Sequence, residues 1–167
     1  MSAIILANGE IRDEIIMAGA AMLRAGTPAP DVAEYIAREV EDDPNEFSVG
    51  TAGMPNILGE VELDAAFMEG GTRRVGAVAA VKGYRHPISI ARQVMERLPH
   101  VFLAGDGAMR FAEEIKAERA NLLTDESLAM WRERINRAAP GVGSVETLPD
   151  LIGFTRVGAI SPTGACR

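Results

Sequence analysis

Hydrophobic and polar positions alternate along this chain in blocks whose periods differ, and those periods predict its elements. Residues 3–7, Ala-Ile-Ile-Leu-Ala, form a short apolar run closed by Asn8-Gly9, the pattern of a buried strand followed by a turn. Over residues 10–25 the apolar positions Ile11, Ile15, Met22 and Leu23 follow a mostly helical spacing, and Gly26 stands where a helix stops. Pro28-Ala29-Pro30 is a connector. A second helix is expected over residues 31–41, with Val32, Tyr35, Ile36 and Val40 on one side, ended by the turn before Pro44. Residues 60–68 alternate around Val61 and Leu63 as a strand, and residues 74–81 form a second, so small and apolar that both faces are expected to be covered. Glu69-Gly70-Gly71-Thr72 between them has hairpin chemistry. Pro87 opens a helix through residue 97 with Ile88, Ala91, Val94, Met95 and Leu98 inward. A buried strand over 101–104 and helices over 108–119 and 125–138 follow. Hairpin-linked strands with helices arriving in pairs predict an α+β fold rather than a parallel βαβ series.

Two segments escape this periodicity. Residues 47–58 are uncharged and glycine-rich, Phe-Ser-Val-Gly-Thr-Ala-Gly-Met-Pro-Asn-Ile-Leu: either a plain surface loop or one whose backbone must approach a ligand or another strand closely. Residues 140–167 mix Gly, Pro, Ser and Thr with short apolar pieces and receive no assignment.

Composition narrows the class. The chain has 167 residues, 47% hydrophobic, with a formal charge of −7, enough for one domain with its own core. Its acidity and lack of a Lys/Arg cluster argue against nucleic acid or an anionic membrane as partner. No apolar run spans a bilayer, and the first residues lack a basic start, so the cytoplasm is the expected compartment. Cys166 is the only cysteine, so no disulfide framework is expected, and it has no base beside it in sequence.

The chemistry-bearing residues do not assemble a complete catalytic machine by themselves. Gly105-Asp106-Gly107 lacks the third glycine of a dinucleotide fingerprint and reads as a helix entry. His86 and His100 could bind metal or act as bases, but no carboxylate at fixed spacing supports either role. Glu41-Asp42-Asp43 could hold a cation, yet reads better as a solvated helix end. Asp64 interrupts an apolar strand. Buried there, it would need hydrogen bonds from the glycine-rich loop or an arginine. Met130 and Trp131 are expected to pack.

The block Val40-Glu41-Asp42-Asp43-Pro44-Asn45-Glu46-Phe47-Ser48-Val49-Gly50-Thr51-Ala52-Gly53-Met54-Pro55-Asn56 resembles the glycosylasparaginase branch of the threonine-type, N-terminal-nucleophile asparaginases. Leu63-Asp64-Ala65-Ala66-Phe67-Met68-Glu69, Val75-Gly76-Ala77-Val78-Ala79, the run from His86 to Glu96, the run from Pro99 to Ala108, Asn121-Leu122-Leu123-Thr124 and Trp131 continue the similarity in order. The resemblance implies an αββα four-layer sandwich made as a precursor that cuts itself. The freed threonine at the start of a β-chain then attacks an asparagine side-chain or β-aspartyl amide, its own α-amine serving as base. On this reading residues 1–139 are the α-subunit part of one domain, and 140–167 lead to the cleavage site, with the nucleophile beyond Arg167. No catalytic residue, cofactor or metal is then expected on this chain, and a dimer of αβ heterodimers is the expected assembly. Ser48 matches a pocket serine of the family. Gly9 stands where glycosylasparaginases carry a pocket tryptophan, and Ile11 replaces a nearby aromatic, which puts glycosylated asparagine in doubt as substrate. The His-Asp-Thr cleavage signature has only a poor counterpart in Phe154-Thr155-Arg156. Two competing readings are a non-catalytic homologue that has lost the chemistry and a single-chain enzyme using Thr155 or Cys166.

Overall fold

A computed structural model describes residues 4–9 and 11–138. Helices α1 (Asp13–Arg24) and α2 (Ala29–Glu41) come first. Strands β1 (Leu63–Glu69) and β2 (Arg74–Val81), helix α3 (Pro87–Arg97), strand β3 (Phe102–Ala104) and helices α4 (Asp106–Glu114) and α5 (Asp125–Ala138) follow. The three strands form one sheet in the order β1-β2-β3, with β1 antiparallel and β3 parallel to β2. Helix α3 is therefore the crossover between two parallel strands, so the α+β arrangement contains one βαβ unit that the sequence reading did not expect.

One face of the sheet is closed by α3. Phe67 and Val78 join Ile90, Ala91, Val94, Met95, Phe111 and Ala112 in the main core. The approach is close because β2 carries Gly76: a Cβ there would lie 2.2 Å from the Ala91 carbonyl oxygen and 2.4 Å from the Met95 nitrogen. The opposite face is not covered by any described residue. Met68 (61% exposed) and Phe102 (55%) stand on it beside the small residues Ala66, Ala77 and Ala79. Within the described residues, then, the run 74–81 is covered on one face and not on both as expected, and the expected buried strand 101–104 exposes Val101 and Phe102.

Between β1 and β2 the ladder is irregular. Register shifts between Leu63 and Ala65, and Asp64 Oδ1 accepts a hydrogen bond from the Ala80 amide at 2.8 Å, with Ala80 at φ 53°. Asp64 is exposed, not buried, and its partner is the neighbouring strand's backbone rather than the glycine-rich loop or an arginine. Its short side chain supplies the acceptor that the bulged backbone withdraws.

Helices α1 and α2 pack through Ile15, Val32 and Ile36, and an ion-pair cluster joins α2 to α3. Arg92 of α3 reaches Asp31 (2.5 Å), Glu34 (2.5 Å) and Glu96 (2.7 Å), with its guanidinium over the Phe67 ring. Burial opposes its charge, but the three carboxylates hold its pKa above the ordinary arginine value. The N-terminal residues 4–8 correct another expectation. They are not in any sheet, and Ile4 and Leu6 are 80% and 93% exposed.

Helix α5 begins with a reciprocal cap: the Ser127 amide donates to Thr124 Oγ1 and the Thr124 amide to Ser127 Oγ. Trp131 is buried, as expected of a packing residue. Gly105-Asp106-Gly107 is a helix entry, with Gly105 before the first residue of α4. Residues 140–167, including Thr155 and Cys166, lie outside the described residues.

Candidate functional site

Proline and the acidic run end α2, and the chain then turns back through the uncharged segment 47–58 onto the helix it has just left. The Thr51 amide donates to the Glu41 carbonyl at 2.7 Å. Gly50, at φ +58°, lies so close that a Cβ would sit 2.0 Å from the Glu41 carbonyl oxygen. The close approach expected of this glycine-rich loop is found, but to the end of helix α2 and not to a ligand or another strand. Farther along, the Ala52 amide donates to the Leu122 carbonyl, and Trp131 Nε1 donates to the Asn56 carbonyl at 2.8 Å. Asn56 Oδ1 accepts from the amides of Leu58 and Glu60, an Asx turn that folds the end of the loop. The loop is strapped to α2 at one end and to α5 at the other.

Between these straps Ser48 is exposed. Its amide donates to Glu46 Oε1, and its hydroxyl has no hydrogen-bond partner among the described residues. Val49 next to it borders an apolar groove of about 540 Å³ that separates residues 4–7 and α2 from β1. Val32, Ile36 and Val40 form one wall, Asp64 and Ala65 another. Gly9, at φ 102° and exposed, lies between the lining residues Ala7 and Ile11. Ser48 and Gly9 therefore stand beside the groove through their chain neighbours, and neither lines it.

The acidic run 41–43 is the main correction to the sequence reading, because it is not a solvated helix end. Glu41 is 6% exposed, and its Oε1 accepts from the Ile88 amide at 3.1 Å, in the first turn of α3. Glu41 Oε2 is buried with no partner among the described residues. Burial pushes this carboxyl up to about 8. The Ile88 hydrogen bond works against that, and the neighbouring Asp42 charge reinforces it. Asp42 shows the opposite balance. Burial raises its pKa, but Arg85 Nε at 2.6 Å and the His86 ring outweigh that and hold it below the ordinary carboxylate value. His86 Nε2 is 3.0 Å from Asp42 Oδ2, an ion-pair distance without hydrogen-bond alignment. His86, 7% exposed, is thus a buried neighbour of Asp42, and His100 is an exposed residue before β3. Asp43 takes hydrogen bonds from Asn45 and pairs with Arg12 at 3.0 Å. No group of three or more His, Cys, Asp and Glu among the described residues could hold a metal ion.

Residues 8–147 match the sequence profile of a family described as asparaginase. The chain belongs to the asparaginase family. It is 46% identical over 112 residues to an N(4)-(β-N-acetylglucosaminyl)-L-asparaginase of Elizabethkingia miricola, a match covering 67% of this chain and 33% of that protein. A plant-type L-asparaginase of Thermococcus kodakarensis is 42% identical over 120 residues, covering 72% and 39%. The human isoaspartyl peptidase/L-asparaginase is 46% identical over 94 residues, covering 56% and 30%. The chain thus spans about a third of the length of these curated relatives.

Within the asparaginase framework the structure adds the burial of Glu41, which the sequence reading took for part of a solvated helix end. The signal was present: Ala29, Ala33 and Ala37 make an i, i+4 row along the groove wall, and Glu41 is its next member.

Proposed function

We propose that this chain is the α-subunit of an autoprocessed amidohydrolase that cleaves asparagine side-chain or β-aspartyl amide bonds with a threonine nucleophile on a companion β-chain. The observation that carries the proposal is the coincidence of a one-third-length match to enzymes named for asparagine and isoaspartyl amides with an apolar groove and a sheet face left uncovered among the described residues. An αββα sandwich would put a second sheet over Met68, Ala77 and Phe102 and a strand of the companion in the groove.

The chemistry follows from one residue holding both reacting groups. The threonine hydroxyl adds to the amide carbon while its own α-amine takes the proton. The amine then returns that proton to the departing nitrogen, and the resulting ester is hydrolysed by water. An α-amine titrates near neutrality, which suits a base at cytoplasmic pH. This chain would contribute the loop that presents Ser48 to the pocket, while Gly9 would leave the opposite rim open where an aromatic ring could stand. Residues 1–139 would form the α part of the domain and 140–167 the approach to the cleavage site. The assembly would be a dimer of αβ heterodimers in the cytoplasm, without cofactor or metal. Among the described residues no helix is long and apolar enough to cross a membrane.

Intact-mass analysis of the complete gene product should find a second chain beginning with threonine, and that material should release ammonia from asparagine or aspartate from β-aspartyl peptides. Uncleaved, inactive protein would refute the proposal. Ser48→Ala should raise KM about tenfold or more by removing one hydrogen bond to bound substrate.

A further inference from the structure

Glu41 meets three parts of the molecule through its main-chain carbonyl and its carboxyl group. Its main-chain carbonyl receives the glycine-rich loop through Thr51, its Oε1 holds the first turn of α3 through Ile88, and its Oε2 is buried without a partner among the described residues, on a residue that lines the groove. A buried carboxyl oxygen with no donor or acceptor beside it is costly, so it signals a partner outside the described chain. The charged groups around it cannot serve. Glu34 and Asp42 on α2 are acidic, and Asp42 is engaged by Arg85 and His86. Arg38 acts only at a distance, Asp64 on β1 is occupied by the Ala80 amide, and neither residues 4–8 nor the loop 47–58 brings a charged side chain.

Resting on the α-subunit reading above, we infer that Glu41 is a positioning residue: as an uncharged acid, its Oε2 hydroxyl donates a hydrogen bond to a main-chain carbonyl of the companion-chain segment that fills the groove. The occupant is a companion segment because this chain spans about a third of the length of its relatives, the groove is apolar, and among the described residues β1 beside it is paired on one side only. The bond ties the end of α2, whose main-chain carbonyl holds the loop bearing Ser48, to the partner. Burial raises the folded-state value to about 8, so the acid form persists through neutral pH. The sign follows from that direction: the interaction is intact at low pH and is lost as pH rises through the folded-state value.

The test uses the complete gene product. An infrared carboxylic-acid band present near neutral pH should vanish in Glu41→Gln. Retention of the companion chain, followed by analytical ultracentrifugation from about pH 6 to about pH 10, should weaken by up to about tenfold per pH unit above the midpoint in wild type. In Glu41→Gln, whose amide can still accept from Ile88 and donate to the groove, that dependence should be flat. Glu41→Leu should loosen the companion chain at every pH. A photo-crosslinker at Ala33, on the groove wall, should label the companion chain. Identical pH profiles for wild type and Glu41→Gln, absence of the band, or crosslinks to residues 139–167 or to a second copy of this chain would overturn the inference. Protein that processes but hydrolyses no amide would refute the enzymatic reading alone, since the band, the crosslink and the sedimentation profile do not depend on turnover.

Discussion

Ile90 and Ile36 occupy similar places, each on the inner face of an amphipathic helix, yet their surroundings differ. Ile90 on α3 is 1% exposed and ringed by the sheet, α3 and α4. Ile36 on α2 packs on α1 on one side and borders the open groove on the other. The inner face of the sheet satisfies its apolar surface with α3 and α4, whereas the groove side of α2 and the outer sheet face are left uncovered among the described residues. Local periodicity writes the same amphipathic helix in both halves; what covers it is a matter of the rest of the molecule. The contrast holds for apolar surface only, since buried polar atoms without a partner among the described residues occur on both sides: Glu41 Oε2 on α2, and His86 Nε2 and Gln93 Oε1 at α3.

Substitutions can break or sharpen this contrast. The largest effect is expected for Gly76→Val, because its side chain must displace the backbone of Ala91 and Met95; a loss of more than about 4 kcal/mol should appear as failure to give a cooperative thermal transition. Ile90→Ala should cost about 2–5 kcal/mol in chemical denaturation without loosening the companion chain. Ile36→Ala should cost less, because water already reaches the groove, but should weaken retention of that chain in sedimentation. Parallel behaviour of the two variants would erase the distinction. Arg92→Lys replaces a forked cation holding three carboxylates with a point charge and should cost about 1–2 kcal/mol by thermal unfolding. The smallest effect belongs to Asp42→Asn. The lowered pKa of Asp42 gives stability that is present above the ordinary carboxylate value and is lost as pH falls through the folded-state value. The variant should therefore flatten the acid limb of stability by less than about 1 kcal/mol, since the carboxylate is partly exposed.

Much of the fold was legible. Helix α3 and strand β2 carry the bounds expected from Pro87 and from the small apolar run 74–81, because those signals are local. Burial was less legible, since residues 3–7 and 101–104 look like core strands in sequence but expose Ile4, Leu6, Val101 and Phe102 in this chain. An apolar run reports that a surface needs covering, not which polypeptide covers it. At the candidate site, the loop 47–58 was recognisable from glycine and the absence of charge. Glu41 was not, because three adjacent acids look solvated unless the i, i+4 row on α2 is followed to its end. Asp64 was recognised as unusual but given the wrong partner, because a bulge leaves no mark in local sequence.

That bulge has a mechanical consequence. With its carboxylate clipped to the Ala80 amide, β1 cannot slide past β2 by one residue without surrendering the clip and turning Phe67 to the opposite side. The border of β1 that has no partner among the described residues therefore offers an incoming strand a ladder in one phase only, a built-in vernier for whatever aligns against it.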